Sequence, residues 1–340
     1  MFNLYKIMFM MTLALGTLMA ISSNSWLGMW MGLEINLLSM IPLMNNNKNL
    51  FSSEASLKYF ITQALASAIL LFSIIILMSQ SNLMNNVIND PTLIMIMNST
   101  LLTKMGAAPF HFWFPEVMEG LSWLNSLTLL TWQKIAPMVL LMYNAKLITF
   151  LSIIIIFCMM VSGVIGLNQT SLRKILAYSS INHIGWMIAS MIFIQSIWTY
   201  YFSIYALINA NIILVFKYFN TFYIKQLFTL MSYNNTLKLF FMLNFFSLGG
   251  LPPFLGFLPK WLTIQNMVQN NQLTLSFIMI VMTLITLYFY MRLTFSSILL
   301  NTTQMTTDFM QLKTLNTQIL VFNFIMITAL IYCTLMFNWL

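Results

Sequence analysis

Phe245-Phe246-Ser247-Leu248-Gly249-Gly250-Leu251-Pro252-Pro253-Phe254-Leu255-Gly256-Phe257-Leu258-Pro259-Lys260 interrupts an apolar segment that runs from about 237 to 268. At about 1.5 Å of rise per residue such a segment would reach about 48 Å as one helix, against a bilayer core of roughly 30 Å. One straight crossing therefore does not fit. Paired glycines and prolines cannot continue a regular hydrogen-bond ladder, so they mark the break. Backbone unwound at membrane depth is tolerated only when buried in protein or beside a hydrated cavity. Lys260 follows where the second half resumes, next to carbonyls that the break sets free.

A second interruption matches the first. Pro109-Phe110-His111-Phe112-Trp113-Phe114-Pro115 has the Pro-Phe-x-x-x-x-Pro spacing of Pro253 to Pro259, 144 residues earlier, and small residues precede both: Gly106-Ala107-Ala108 and Gly249-Gly250. The solvent around these breaks follows from composition. Of 340 residues 60% are hydrophobic and 6% charged, with mean hydropathy +0.86; a soluble domain carries about 25% charged residues. The chain reads as an all-α integral membrane protein. At roughly 20 residues per crossing, about 11 transmembrane helices are expected, near 4–22, 25–44, 55–78, 91–113, 121–142, 147–167, 172–192, 195–217, 237–268, 274–298 and 316–338. If helices one to five form one repeat (about 1–145) and six to ten another (about 146–300), both breaks fall in the fourth helix of their repeat. An odd repeat length inverts the second copy, and the helix near 316–338 is left over at the C-terminus. Paired broken helices in inverted repeats are the best sequence pointer to a transporter's ion site. The joints are short and the two longer connections, about 218–236 and 299–315, are polar, so the whole chain 1–340 is expected to form a single transmembrane antiporter-like domain. The run Leu4 to Ile21 behind Lys6 reads as a first transmembrane helix rather than a signal peptide, because further hydrophobic spans follow it.

The net charge of +8 is topological rather than a sign of nucleic acid. With the N-terminus placed inside, Lys6, Lys48, Lys58, Arg173, Lys174, Lys217, Lys225, Lys238, Arg292 and Lys313 fall at inner ends or loops, and only Lys146 falls outside. That is a strong positive-inside bias. It puts the N-terminus inside and, after an odd number of crossings, the C-terminus outside.

Three basic residues remain, Lys104, Lys134 and Lys260, together with the acidic Glu34, all inside apolar segments. Counting along the expected helices puts Lys104 and Lys134 about thirteen residues in and Glu34 about nine, too deep for the amines to snorkel to water. A charge at mid-bilayer is expensive, from about 2.5 kcal/mol on insertion scales to 10 or more on isolated helices, and it marks an ion or proton path. An amine moved from water into an apolar interior loses stability in its charged form, which brings proton loading and release within reach of neutral pH; a nearby carboxylate acts the other way. Glu34 and Lys104 thus read as a gate, Lys134 as the next carrier and Lys260 as the exit. His183, about a dozen residues into helix seven, is either a relay or a hydrogen-bonded packing residue; His111, in the broken element, either relays protons or holds freed backbone. Ser179, Ser180 and Asn182 join helices or line a hydrated path, with joining favoured. Glu116 and Glu119 either collect protons or cap a helix and its solvated loop.

Two cysteines, Cys158 and Cys333, are too few for an iron-sulfur cluster; no haem attachment motif, dinucleotide fingerprint or phosphate loop occurs. The 31 methionines and 29 phenylalanines read as lipid-facing or packing residues. Any redox energy must therefore come from partner subunits.

The segments Trp26 to Asn36 (WLGMWMGLEIN), Lys104 to Trp113 (KMGAAPFHFW), Trp132 to Pro137 (WQKIAP), Leu176 to His183 (LAYSSINH) and Gly249 to Phe254 (GGLPPF) closely resemble the chain 2 family of mitochondrial NADH-ubiquinone oxidoreductase, respiratory complex I, and look most like its insect forms. The resemblance covers essentially the whole chain. It implies an antiporter-like membrane-arm subunit of a proton-translocating NADH:ubiquinone reductase, with Glu34, Lys104, Lys134 and Lys260 as its channel residues and no redox centre of its own. Lysine at 260 favours this family over the chain 4 family, where glutamate is usual at that position. NADH, FMN, iron-sulfur clusters and ubiquinone are expected in partner subunits. The implied partners are a neighbouring antiporter-like chain, small membrane subunits and lipids such as cardiolipin. The implied location is the mitochondrial inner membrane, N-terminus to the matrix and C-terminus to the intermembrane space. Twelve lysines against two arginines, with abundant Met, Asn, Ile and Phe, fit synthesis from an AT-rich organellar genome, and no cleavable targeting peptide is expected. A stand-alone cation/proton antiporter and an inactive lipid-embedded scaffold are the competing readings.

Overall fold

The computed structural model describes residues 4–45, 49–83, 90–231, 235–299, 321, 323–325 and 328–330. Among these every regular element is an α-helix, apart from one antiparallel bridge between Ser171 and Tyr223. Among the described residues seven helices are long and apolar enough to cross a membrane unaided; others are halves of interrupted segments. The chain forms two compact units, 1–158 and 159–340.

The first unit begins with the hairpin of α1 (Leu4–Ser22) and α2 (Trp26–Met44). Ser25 caps α2, its Oγ accepting from the Gly28 amide at 3.2 Å. The two backbones nearly touch, because Gly16 and Gly32 face the partner helix: a Cβ on Gly32 would lie 2.5 Å from the Ala20 amide nitrogen. Small residues allow this approach where lipid offers no hydrophobic incentive for association. α3 (Leu50–Leu83) packs on α2 and turns Leu57, Ile61, Leu65, Phe72 and Ile75 outward. Their three-to-four-residue spacing makes a lipid-facing stripe, opposite a face that buries Ala55, Tyr59, Ala66, Leu70 and Ile74.

α4 (Pro91–Met105) starts on Pro91, whose missing N–H would have had no helical partner anyway, and stops at Gly106 with φ 75°. The Ala107 amide returns to Leu102 O at 3.0 Å, closing the helix end as left-handed glycines do. α5 (Trp113–Gly120) follows the break. Two freed carbonyls of α4 find side-chain donors: Thr103 O accepts from Trp113 Nε1 at 3.0 Å, and Lys104 O from Gln63 Nε2 at 3.4 Å. The single helix expected near 121–142 is in fact two, α6 (Trp123–Leu130) and α7 (Trp132–Tyr143), parted at Thr131 with φ −113° and ψ −72°. Pro137 lies farther on, inside α7; at the junction the Lys134 amide turns back to Thr131 O at 3.2 Å, a tighter turn than the α-helical one. α7 packs against α1, α2, α4 and α6 and forms the middle of the unit. α8 (Ile148–Gly166) runs from the first unit into the second.

In the second unit α9 (Leu172–Phe193) is the central helix, buried along nearly its whole length and packed on α10 (Gln195–Phe219), α13 (Phe257–Gln269) and α14 (Leu273–Leu299). The polar connection after α10 contains a short helix that the sequence did not announce, α11 (Ile224–Met231). α12 (Asn235–Gly249) ends at Gly250 with φ 78°, and α13 (Phe257–Gln269) resumes after the break. α14 (Leu273–Leu299) closes the described bundle. The two interruptions agree residue for residue. α4 and α12 each span 15 residues, each ends at a left-handed glycine, and α12, Gly250 and the start of α13 lie 144 positions beyond α4, Gly106 and the start of α5. Most of the expected C-terminal helix, 316–338, lies outside the described residues; positions 321, 323–325 and 328–330 are helical.

Candidate functional site

The break after α4 decides where Lys104 sits. Counting along an unbroken helix put it in the interior, but the helix ends at Gly106, so Lys104 occupies the last turn of α4. It is 7% exposed. Carbonyl dipoles converge at a helix C-terminus and favour a cation there. Glu34, on α2, lies within electrostatic range of the Lys104 amine and of the Tyr59 hydroxyl, and its Oε1 is buried without a hydrogen-bond partner among the described residues. Glu34 and Lys104 thus act on each other at a distance rather than as a closed ion pair.

Lys134 is the third residue of α7, immediately after the interruption at Thr131, and not deep in a continuous helix as residue counting implied. It is 1% exposed, with Nζ 5.6 Å from the centre of the Phe114 ring and in electrostatic range of the Cys158 thiol, which itself leans on Ala108 O at 3.7 Å. Its neighbour Gln133 ties α7 back toward Glu34: Nε2 donates to Asn36 Oδ1 at 2.9 Å, and Oε1 accepts from Tyr59 OH at 3.3 Å.

Lys260, in the first turn of α13, reaches back across its own break. Nζ donates to Gly249 O at 2.7 Å and Leu248 O at 3.5 Å, and lies 5.8 Å from the Trp186 ring of α9. The ammonium group therefore caps the C-terminus of α12, as backbone carbonyls do for intramembrane cations. The two breaks carry their lysines on opposite sides of the glycine. The position matching Lys260 in the first unit is Glu116, which is exposed and joins α5 to α3 through Lys58 at 2.9 Å; Glu54 meets the same lysine at 2.9 Å. Glu116 thus belongs to a surface ion cluster.

His183 lies on α9 with Nδ1 2.9 Å from Tyr201 OH and its ring against Tyr205. His111 is buried in the first break, its ring beside Phe112, and its Nδ1 meets no hydrogen-bond partner among the described residues. Asn182 joins α9 to α14, donating to Thr286 Oγ1 at 3.1 Å, while Ser179 and Ser180 turn back on Leu176 O and Ala177 O. Ser180 also meets the Tyr205 hydroxyl of α10, and Ser179 that of Tyr290 on a third helix, so the serines join helices as Asn182 does. Sequence reading missed Asn36, Tyr59, Gln63 and Gln133. Tyr59 and Gln63 stand one turn apart on a buried face of α3 that also carries Ser56 and Ser67, a polar spacing that could have flagged them.

A family described as NADH:quinone oxidoreductase/Mrp antiporter, TM matches residues 23–286. The NADH-ubiquinone oxidoreductase chain 2 of Anopheles gambiae is 54% identical over 334 residues, 97% of each chain. The chain belongs to the NADH-ubiquinone oxidoreductase chain 2 family. The protein of the same name from Aedes aegypti is 53% identical over 332 residues, again 97% of each. Among solved structures, a chain of respiratory complex I from Thermus thermophilus superposes with a TM-score of 0.77 at 25% identity, covering 87% of this chain and 71% of that one. Like its family, this is a multi-pass helical membrane protein.

Proposed function

We propose that this chain translocates protons through Glu34, Lys104, Lys134 and Lys260, as an antiporter-like membrane subunit of NADH:ubiquinone oxidoreductase. Electron transfer from NADH to ubiquinone in other subunits drives it. One observation carries the assignment of residues. All three buried lysines stand at helix interruptions: Lys104 at the end of α4, Lys134 at the start of α7, Lys260 at the start of α13. An interruption supplies what an intramembrane amine needs in order to change charge. Freed carbonyls hold the ammonium form, as Gly249 O holds Lys260, and unwound backbone is where water is admitted to the hydrocarbon region.

In this mechanism a carboxylate at Glu34 favours the charged form of Lys104, and weakening that interaction releases the proton. Lys134 is the next acceptor, its cation stabilised by the face of the Phe114 ring. Lys260 hands the proton on toward the outer face or a neighbouring subunit. His183 and His111 are secondary relays. The paired breaks support an arrangement as two inverted five-helix repeats, about 1–145 and 146–300, and the charge distribution supports an N-terminus in the matrix and a C-terminus in the intermembrane space. FMN and iron-sulfur clusters belong to partner subunits in this reading, and a neighbouring antiporter-like chain, small membrane subunits and lipids such as cardiolipin surround the helices.

Co-purification of the chain with NADH-oxidising activity separates this reading from a stand-alone cation/proton antiporter. Assembled enzyme carrying Lys134→Met is expected to keep electron transfer partly and to lose protons pumped per electron. A normal ratio in that variant would make the chain a scaffold.

A further inference from the structure

One oxygen of the half-buried Glu34 carboxylate lacks a donor. Its Oε1 is buried and meets none among the described residues, and Lys104 acts on it at a distance. A charged carboxylate in an apolar setting needs either a cation or hydrogen-bond donors, and when Lys104 gives up its proton the cation is gone. Another polar hydrogen within electrostatic range is that of Tyr59. Tyr59 is 3% exposed, its ring is held near Trp113 at 5.8 Å between centroids, and its hydroxyl points at Gln133 Oε1. At 3.3 Å that hydrogen bond is long, since such O–H···O contacts cluster at about 2.7–2.8 Å, so little holds the hydroxyl to its present acceptor.

Around Tyr59 the fold links both ends of the gate. One turn farther along α3, Gln63 donates to the carbonyl of Lys104. Gln133 joins Tyr59 to Asn36, two residues from Glu34 on α2, and stands next to Lys134 in the chain. We propose that Tyr59 is the positioning residue of the Glu34 carboxylate: its hydroxyl turns from Gln133 Oε1 to the bare Glu34 oxygen when Lys104 no longer supplies the compensating charge. The exchange leaves Gln133 with a free acceptor beside the interruption that carries Lys134, so the state of Glu34 is reported to the next carrier without any covalent change. No proton passes through Tyr59 itself. It acts through Glu34, and the inference rests on the proton-carrying reading of Glu34 and Lys104.

The test uses the assembled complex and a redox-induced infrared difference spectrum. The carboxyl band of Glu34 is identified by its loss in Glu34→Gln. In Tyr59→Phe, which keeps the ring against Trp113, that band is expected to shift, and coupled NADH:ubiquinone turnover per mole of assembled complex to fall roughly tenfold, as for a hydrogen bond to a charged group. Gln133→Met removes the competing acceptor without touching Tyr59, and is expected to shift the same band in the opposite sense; it decides the matter if Tyr59→Phe does not assemble. A Glu34 band that stays in place in either variant overturns the inference and leaves Tyr59 as a tie between α3 and α7. Lys134→Met separates the two levels: normal pumping there removes the broader reading, whereas lost pumping with an unmoved Glu34 band removes only the role of Tyr59.

Discussion

Gly250→Ala probes the capped break most sharply. At φ 78° a side chain is disfavoured, and a left-handed residue other than glycine costs about 1–2 kcal/mol. The added Cβ would also lie 2.8 Å from Lys260 Cδ and 3.0 Å from its Nζ. A flexible side chain yields to such a contact, so the steric term itself is small. The consequence is that the amine is pushed off Gly249 O, its 2.7 Å partner. A hydrogen bond to a charged group contributes about 1.5–3 kcal/mol, which brings the expected loss to about 2.5–5 kcal/mol in total. The assay is a double-mutant cycle on assembled complex, with Gly250→Ala and Lys260→Met alone and together, read by thermal inactivation and by protons pumped per electron. In the Lys260→Met background only the backbone term of about 1–2 kcal/mol is left for Gly250→Ala to remove. Equal losses with and without Lys260, together with a parental pumping ratio in Gly250→Ala, would refute the claim that the break exists to seat this amine.

Other outcomes follow from the packing. Gly32→Leu drives a side chain into the Ala20 backbone 2.5 Å away, so α1 and α2 must separate; lowered accumulation of assembled complex, seen on native gels, is expected, and parental accumulation would contradict the tight hairpin. Lys58→Met opens the surface cluster with Glu54 and Glu116, and exposed pairs of this kind stabilise little, so thermal inactivation and pumping ratio should both match the parent. A reduced pumping ratio there would return Glu116 to the list of proton collectors.

What could be foreseen from the chain depended on how local the physics is. The interruptions at Gly106 and Gly250 were legible because glycine and proline act on their own backbone, and the lysines were legible because charge is rare in apolar sequence. The interruption at Thr131 was not, since it falls six residues ahead of Pro137 and no glycine or proline marks it. α11 was missed because its eight residues lie in a polar connection and are too short to show a membrane signal. The Tyr59–Gln133–Asn36 chain joins three helices at separations of 74 and 97 residues, and no one-dimensional pattern encodes such a meeting. Glu34 and Lys104 were paired from the sequence on charge alone; the left-handed turn at Gly106 is what sets the lysine at a helix end rather than in a helix middle.

The most direct test of the account is a density map of the native assembly that resolves ordered water around Lys104, Lys134 and Lys260. Water molecules touching each amine from inside the protein, beside the unwound turns at Gly106, Thr131 and Gly250, are the predicted result. Amines that open straight onto bulk solvent or lipid headgroups, or that sit dry with no water within hydrogen-bonding reach, would contradict it.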